Sequence, residues 1–282
     1  MRNKLVLGSA QFGLDYGINN QDGQVKIKEA RKILHFAKKN EINTIDTASA
    51  YGDSEQVLGK LGVNEYKIIT KTIPFKDSIN EVIDGFYKSL KKLNIAQIEG
   101  LLIHNIDDVN NKIFILLFER LNELKKEGLV KKIGFSTYMP EQVDFLLENF
   151  DFDLIQLPVN IFDVRLIEGG QLHALKNKGV EVHARSVFLQ GVLLDFDHLS
   201  SHFITWQDQF EKYQIGVKDC GMSLLEYALN FVLNIQEIDK VVVGVNSETQ
   251  LAEIIQSINK SSIIDPYPIN DINLLNPSLW KI

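Results

Sequence analysis

Thr44-Ile45-Asp46-Thr47-Ala48-Ser49-Ala50-Tyr51-Gly52-Asp53-Ser54-Glu55 passes from a short apolar run through a turn into a segment with helical spacing. The same order repeats along the chain. Strand-like runs occupy 5–7, 44–46, 67–70, 98–103, 132–135, 154–157, 180–184 and 240–243. Helical patterns, with apolar residues three and four apart, occupy 27–39, 54–61, 78–93, 111–127, 140–148, 168–178, 223–233 and 249–257. Strand runs without polar alternation read as parallel strands buried on both faces. Ser78 with Glu81 forms a capping-box pattern, and Gly128 and Gly179 are placed to end helices. Eight such units, with no linker rich in Pro, Gly or Ser, predict an α/β fold, a (β/α)8 TIM barrel forming one domain over 1–282. The alternative, a doubly wound sheet, lacks its glycine signature, because Gly8-Ser9-Ala10-Gln11-Phe12-Gly13 does not read G-x-G-x-x-G.

Two segments break the rhythm. The connection over 187–222, carrying Phe188, Phe196, Phe203, Trp206 and Phe210, reads as a long loop after the seventh strand and a candidate lid. The stretch 263–282, with Pro266, Pro268, Pro277 and Trp280, has no periodicity and is expected to wrap the barrel exterior or its rim.

Composition excludes several classes. With 45% hydrophobic and 24% charged residues, the chain has enough apolar surface to bury a sizeable core. A net charge of −7 without a Lys/Arg tract argues against a nucleic-acid partner. No apolar run is long enough for a signal sequence or a membrane span, so a cytoplasmic protein without a membrane partner is expected. Cys220, the one cysteine, cannot form an internal disulfide and is expected to be a buried, inert thiol.

Polar residues fall where the hydrophobic runs stop. Asp46 closes the second strand, Lys71 follows Ile68-Ile69-Thr70, His104 follows Leu101-Leu102-Ile103, and Tyr51 lies in the turn after Asp46. In a (β/α)8 barrel these positions converge at the carboxyl ends of the strands, where catalysis occurs. A phenol exchanges its proton poorly near neutral pH until something stabilises its anion. Lys71 would supply that charge, Asp46 would hold Lys71, and His104 would orient a substrate oxygen. The combination suits proton transfer to or from a carbonyl oxygen.

On these residues the chain resembles the aldo-keto reductase family. The resemblance rests on Asp46-Thr47-Ala48, Tyr51-Gly52, Ser54-Glu55, Lys71, His104, Gly134-Phe135-Ser136 and Gln156, and it spans almost the whole chain. It implies an oxidoreductase in which Tyr51 protonates a carbonyl oxygen as hydride arrives from a nicotinamide cofactor, with Asp46, Lys71 and His104 as its catalytic partners. The implied substrate is a small aldehyde, ketone or sugar; oligomeric state is not implied. The cofactor-binding set carried over comprises Gly8, Ser9, Asp46, Ser136, Gln156, Arg185, Ser186, Gly191, Gly244, Asn246, Gln250 and Glu253. Within it, Ser136 and Gln156 match positions that hold the nicotinamide carboxamide, and Ser186 with Leu189-Gln190-Gly191 would lie along the pyrophosphate.

Departures from the family pattern shape the remaining expectations. Arg185 stands where relatives commonly place an aromatic that stacks on the nicotinamide, Thr137 replaces a frequent Asn, and so does Ile254. NADPH is the family default, but Asn246, Ser247 and Gln250 stand where basic residues often grip the 2′-phosphate, which leaves NADH open. Ser9-Ala10-Gln11 replaces a large aromatic and widens the mouth, with Tyr16, Phe162, Arg165 and Trp206 as pocket candidates. The opening Gly8-Ser9-Ala10-Gln11-Phe12-Gly13-Leu14-Asp15-Tyr16-Gly17 resembles bacterial members linked to sugar or surface-polysaccharide metabolism. His198 and His202 have helical spacing but no third ligand, so no metal site is expected. Two other functions fit the same residues: a cofactor-sensing regulatory subunit, and a lyase or isomerase using Lys71 as a Schiff-base amine.

Overall fold

A computed structural model describes residues 1–259 and 264–280. Strands β1 (Leu5–Gly8), β2 (Thr44–Asp46), β3 (Lys67–Lys71), β4 (Ile98–Ile103), β5 (Val130–Ser136), β6 (Leu154–Pro158), β7 (Glu181–Arg185) and β8 (Lys240–Gly244) close in sequence order into one barrel. Every neighbouring pair is parallel, and β8 returns to β1 with Gly244 beside Gly8. The predicted (β/α)8 architecture is therefore present.

Helices α1 (Ile27–Lys39), α2 (Ser54–Leu61), α3 (Ile79–Leu93), α4 (Phe114–Lys126) and α5 (Pro140–Asn149) follow the first five strands. On α1 the buried residues Ala30, Ile33, Leu34 and Ala37 form one face at helical spacing, which packs on the sheet. The Ser78 hydroxyl caps α3 by accepting from the Glu81 amide, and Gly128 and Gly179 take left-handed φ just past their helices. The predicted helix over 168–178 is instead two pieces, α6 (Arg165–Glu168) and α7 (Gln171–Asn177), because Gly170 turns left-handed between them.

More structure lies after β7 than the periodicity suggests. Within 187–222 the chain forms α8 (Gln207–Asp219), and Phe203, Trp206, Phe210 and Tyr213 are buried. Phe210 stacks on Phe162 and Tyr213 meets the same ring edge-on. The aromatics of this connection belong to the core, so the segment is not the free lid that its length suggested. Phe162 and Trp206, expected as pocket residues, are part of this packing. Helices α9 (Leu224–Leu233), α10 (Glu248–Gln256) and α11 (Ile272–Leu275) follow among the described residues. In the final stretch, Tyr267 and Ile269 donate their amides to the carbonyls of Ile161 and Phe162, and Trp206 Nε1 donates to Asp271. It therefore packs against the loop after β6 and the β7 connection; Ile263, Lys281 and Ile282 of that expected tail lie outside the described residues. Cys220 is exposed at the end of α8, contrary to its expected burial, because the helix turns that end toward solvent.

Alternation along the strands positions the polar ring. Leu101 and Ile103 of β4 point outward into the large cluster shared with the helices, whereas Leu102 packs with Ile69 and Leu154 in a separate layer inside the barrel. Two residues further along each of these strands, on the same inward face, come Lys71, His104 and Gln156. The polar rim is the next layer of the barrel interior.

Close packing of the strands makes one glycine indispensable. A Cβ on Gly134 would lie 1.7 Å from the Leu154 carbonyl oxygen on β6. We expect Gly134→Ala to lose about 3 kcal/mol of stability through overpacking, measured by urea unfolding followed by circular dichroism.

Candidate active site

Lys71 and Asp46 form the centre of the rim. Lys71 is 2% and Asp46 3% exposed, and the ammonium Nζ donates to Asp46 Oδ1 at 2.8 Å, to Oδ2 at 2.7 Å and to the Thr47 carbonyl at 2.9 Å. Gln156 reaches across from β6, its Nε2 donating to Asp46 Oδ1 at 2.7 Å. A carboxylate only accepts, so the amide nitrogen must face it and the Gln156 carbonyl oxygen is left for another donor. Burial alone would depress the Lys71 pKa, but Asp46 and Tyr51 outweigh it and the pKa is raised. Lys71 is thus a fixed cation.

Tyr51 and His104 stand over that cation. Lys71 Nζ lies 5.0 Å from the centre of the Tyr51 ring, and the Tyr51 and His104 rings meet edge-on at 6.1 Å. The turn that carries Tyr51 is fixed at its base, where Ser49 Oγ donates to the Lys71 carbonyl and the Ser54 hydroxyl donates to the Ser9 carbonyl. Burial, then the neighbouring Lys71 charge, push the His104 pKa down to about 4, with Asp46 opposing and Arg185 assisting. At neutral pH the imidazole is uncharged.

The structure sorts the expected cofactor residues. Ser136 and Gln156 are side by side in the β5–β6 register, and Gly8 and Gly244 are paired across β1 and β8. Ser9 belongs to the scaffold instead: its amide and its hydroxyl both donate to the Asp46 carbonyl, at 2.9 Å each. Arg185 ends β7 with its guanidinium 4.0 Å above the Tyr138 ring, its Nη2 donating to the Thr137 carbonyl. After it, Ser186, Leu189 and Gln190 hold left-handed φ, as does Gly191, a conformation costly for side-chain-bearing residues. Asn246 and Gln250 meet at the start of α10, where the Asn246 amide donates to Gln250 Oε1. Glu253 is exposed further along that helix.

Several neighbours escaped the sequence reading. Tyr138 underlies Arg185, and its nearness to Ser136 was the available signal. Glu29, on α1, accepts the Glu248 amide at the start of α10, a contact spanning 219 residues that no local pattern announces. Gln11 packs so close to Gly244 that a Cβ there would lie 2.6 Å from its Nε2. Of the other pocket candidates, Tyr16 feels the charges of Arg185 and Asp46 at the mouth, while Arg165 is paired with Asp163 at 2.8 Å. Among the described residues no cluster of His, Cys, Asp or Glu could hold a metal ion.

A closed parallel barrel with its ionisable groups gathered at the carboxyl ends of the strands has the layout of a barrel enzyme. The model of the Aldo/keto reductase family matches residues 4–275, and the chain belongs to that family of oxidoreductases. Among similar proteins, L-galactose dehydrogenase of Arabidopsis thaliana is 24% identical over 275 residues, covering 90% of this chain and 83% of that protein. The uncharacterized oxidoreductase YqkF of Bacillus subtilis is 23% identical over 288 residues, covering 91% of each. The solved holo form of aldo-keto reductase AKR11C1 from Bacillus halodurans shares the fold with a TM-score of 0.75 at 22% identity, over 92% of this chain and 88% of that one. Among the described residues no helix is long and apolar enough to cross a membrane.

The lowered His104 pKa has a consequence for stability. The unfolded chain takes up a proton near pH 6.5 that the folded chain refuses until about pH 4, so acidification through that window favours unfolding. We expect the His104 ring resonances to stay flat from pH 8 to pH 5 in an NMR titration, and His104→Gln to weaken the loss of stability between about pH 6.5 and 4.

Proposed function

We propose that this chain is a nicotinamide-dependent carbonyl reductase acting on an aldehyde, ketone or sugar, with Tyr51 as the general acid. What carries the reading is the buried Asp46–Lys71 pair set beneath a phenol, with an uncharged imidazole on the other side. Since His104 is a neutral imidazole at neutral pH, its ring N–H is a poor acid but a good hydrogen-bond donor, so its part is to orient the carbonyl oxygen, and the proton comes from Tyr51. Lys71 stabilises the phenolate left behind, and Asp46, held by Gln156, keeps Lys71 in place. A Schiff-base role for Lys71 is disfavoured, because its pKa is raised and its ammonium donates to three acceptors, whereas a nucleophilic amine needs a lowered pKa.

The cofactor is proposed from the fit of the mouth. Thr137 Oγ1, Gln11 Oε1 and Asn246 Oδ1 are buried without a partner, and Gly244, against which Gln11 packs, is exposed at the end of β8. Ser136, Gln156 and Arg185 would hold the nicotinamide end, the Ser186 to Gly191 turn the pyrophosphate, and Asn246, Gln250 and Glu253 the adenosine end. Such a cofactor supplies hydride to the carbonyl carbon when bound. NADPH is the family default, but the charge at the start of α10 favours NADH here. The Glu29 carboxylate, paired with Lys32 at 2.8 Å, occupies the start of α10 beside Glu248, and positions 244–254 contain no Lys or Arg. With Lys32 engaged by Glu29, a 2′-phosphate would meet the Glu248 charge there.

Two measurements test the reading. Tyr51→Phe should lower kcat by about 10²–10⁴ while leaving the cofactor dissociation constant within about twofold; full turnover would remove Tyr51 as the acid. In fluorescence titrations NADH should bind at least about tenfold more tightly than NADPH, a gap of about 1.4 kcal/mol, and the reverse order would restore the family default.

A further inference from the structure

Around Tyr51 and His104 one charged residue is left over. Asp46 and Lys71 neutralise each other, His104 is uncharged at neutral pH, and burial pushes the Tyr16 phenol up to about 12, so it too stays neutral. Arg185 remains. Its Nη2 donates to the Thr137 carbonyl at 2.9 Å and its Nη1 to the Ser186 hydroxyl at 3.2 Å, while the Tyr138 ring supports its face. All of these partners are uncharged, and among the described residues no carboxylate pairs with it. Arg165 makes the contrast, because its guanidinium is matched by both oxygens of Asp163 at 2.8 Å.

The Arg185 charge is felt at the reaction centre. It helps to lower the proton affinity of His104, and it opposes the rise at Tyr16. In a chain of net charge −7, this uncompensated cation gives the surroundings of Tyr51 and His104 a local charge opposite in sign to that of the molecule. A guanidinium has five N–H donors, more than its two protein acceptors use, and the fork matches a carboxylate or phosphate.

We propose that Arg185 selects carbonyl substrates carrying an anionic group, a carboxylate or a phosphate, which docks on the guanidinium while the carbonyl lies between Tyr51 and His104. This rests on the carbonyl-reductase reading and narrows its substrate class. Tyr138 and Thr137 hold the guanidinium in place, so their part is positioning.

The test compares 4-carboxybenzaldehyde, 4-formylphenyl phosphate and neutral 4-methylbenzaldehyde with the wild type, Arg185→Gln and Arg185→Lys. The expected result is at least a tenfold higher kcat/KM for one anionic aldehyde over the neutral one, with the better of the two identifying the anion. That ratio should fall at least tenfold in Arg185→Gln, mainly through KM, and be partly kept in Arg185→Lys. An equal ratio in wild type and Arg185→Gln overturns the proposal. A weakened cofactor dissociation constant in Arg185→Gln with an unchanged ratio also overturns it, and assigns the charge to the cofactor. Calorimetric binding of 4-(hydroxymethyl)benzoate and 4-(hydroxymethyl)phenyl phosphate separates this proposal from the reductase reading. Binding of either that is lost in Arg185→Gln sustains the anion site even if no aldehyde is turned over, and equal or absent binding without turnover removes it.

Discussion

An ammonium and a carboxylate buried together at the carboxyl ends of β3 and β2 set the terms for the rest of the mouth. Taking either charge out of water alone costs several kcal/mol, so each is tolerable only because the other is there. The compensation is nearly complete: Lys71 meets both oxygens of Asp46 and the Thr47 carbonyl, and Gln156 satisfies Asp46 from β6. Since β6 lies across the barrel from β2, this arrangement exists only when the sheet has closed.

From that pair the electrostatics of the neighbours follow. Burial and the Lys71 cation make a charged His104 unfavourable, which turns the imidazole into a neutral hydrogen-bonding group rather than an acid. The same cation stands under the Tyr51 ring, where an anion would be stabilised. Because the pair cancels internally, Arg185 at the end of β7 is the charge left over around Tyr51 and His104. A cation that neutral partners hold in place keeps its full charge for a ligand.

Around this centre the fold spends its irregular segments on support. The connection after β7, which looked like a lid, buries its aromatics against Phe162 and the stretch around Tyr267. The strained turn of Ser186, Leu189 and Gln190 lies at the near end of that connection, next to the β1 loop, where the Ile18 amide and the Asn19 side chain donate to the carbonyls of Gln190 and Gly191. Strain at the rim is thereby held by packing behind it.

Much of this could be read before any coordinates. Helix and strand periods are local, so the eight repeats gave the barrel, and the positions of Asp46, Lys71 and His104 at strand ends gave the rim. What one dimension could not supply was the direction of side chains and the meeting of distant ones. Cys220 was expected inside and lies outside, Phe162 and Trp206 were expected at the pocket and lie in the core, and Ser9 is spent on the scaffold. Glu29 at α10, Gln156 on Asp46 and Tyr138 beneath Arg185 are contacts between elements whose spacing leaves no sequence trace. The sequence by itself determined which groups stand at the ends of the strands, because a two-residue alternation and a 3.6-residue period are properties of the backbone. Only the tertiary structure decided which of those groups are charged and which cancel, because burial and partner distance are set when the barrel closes.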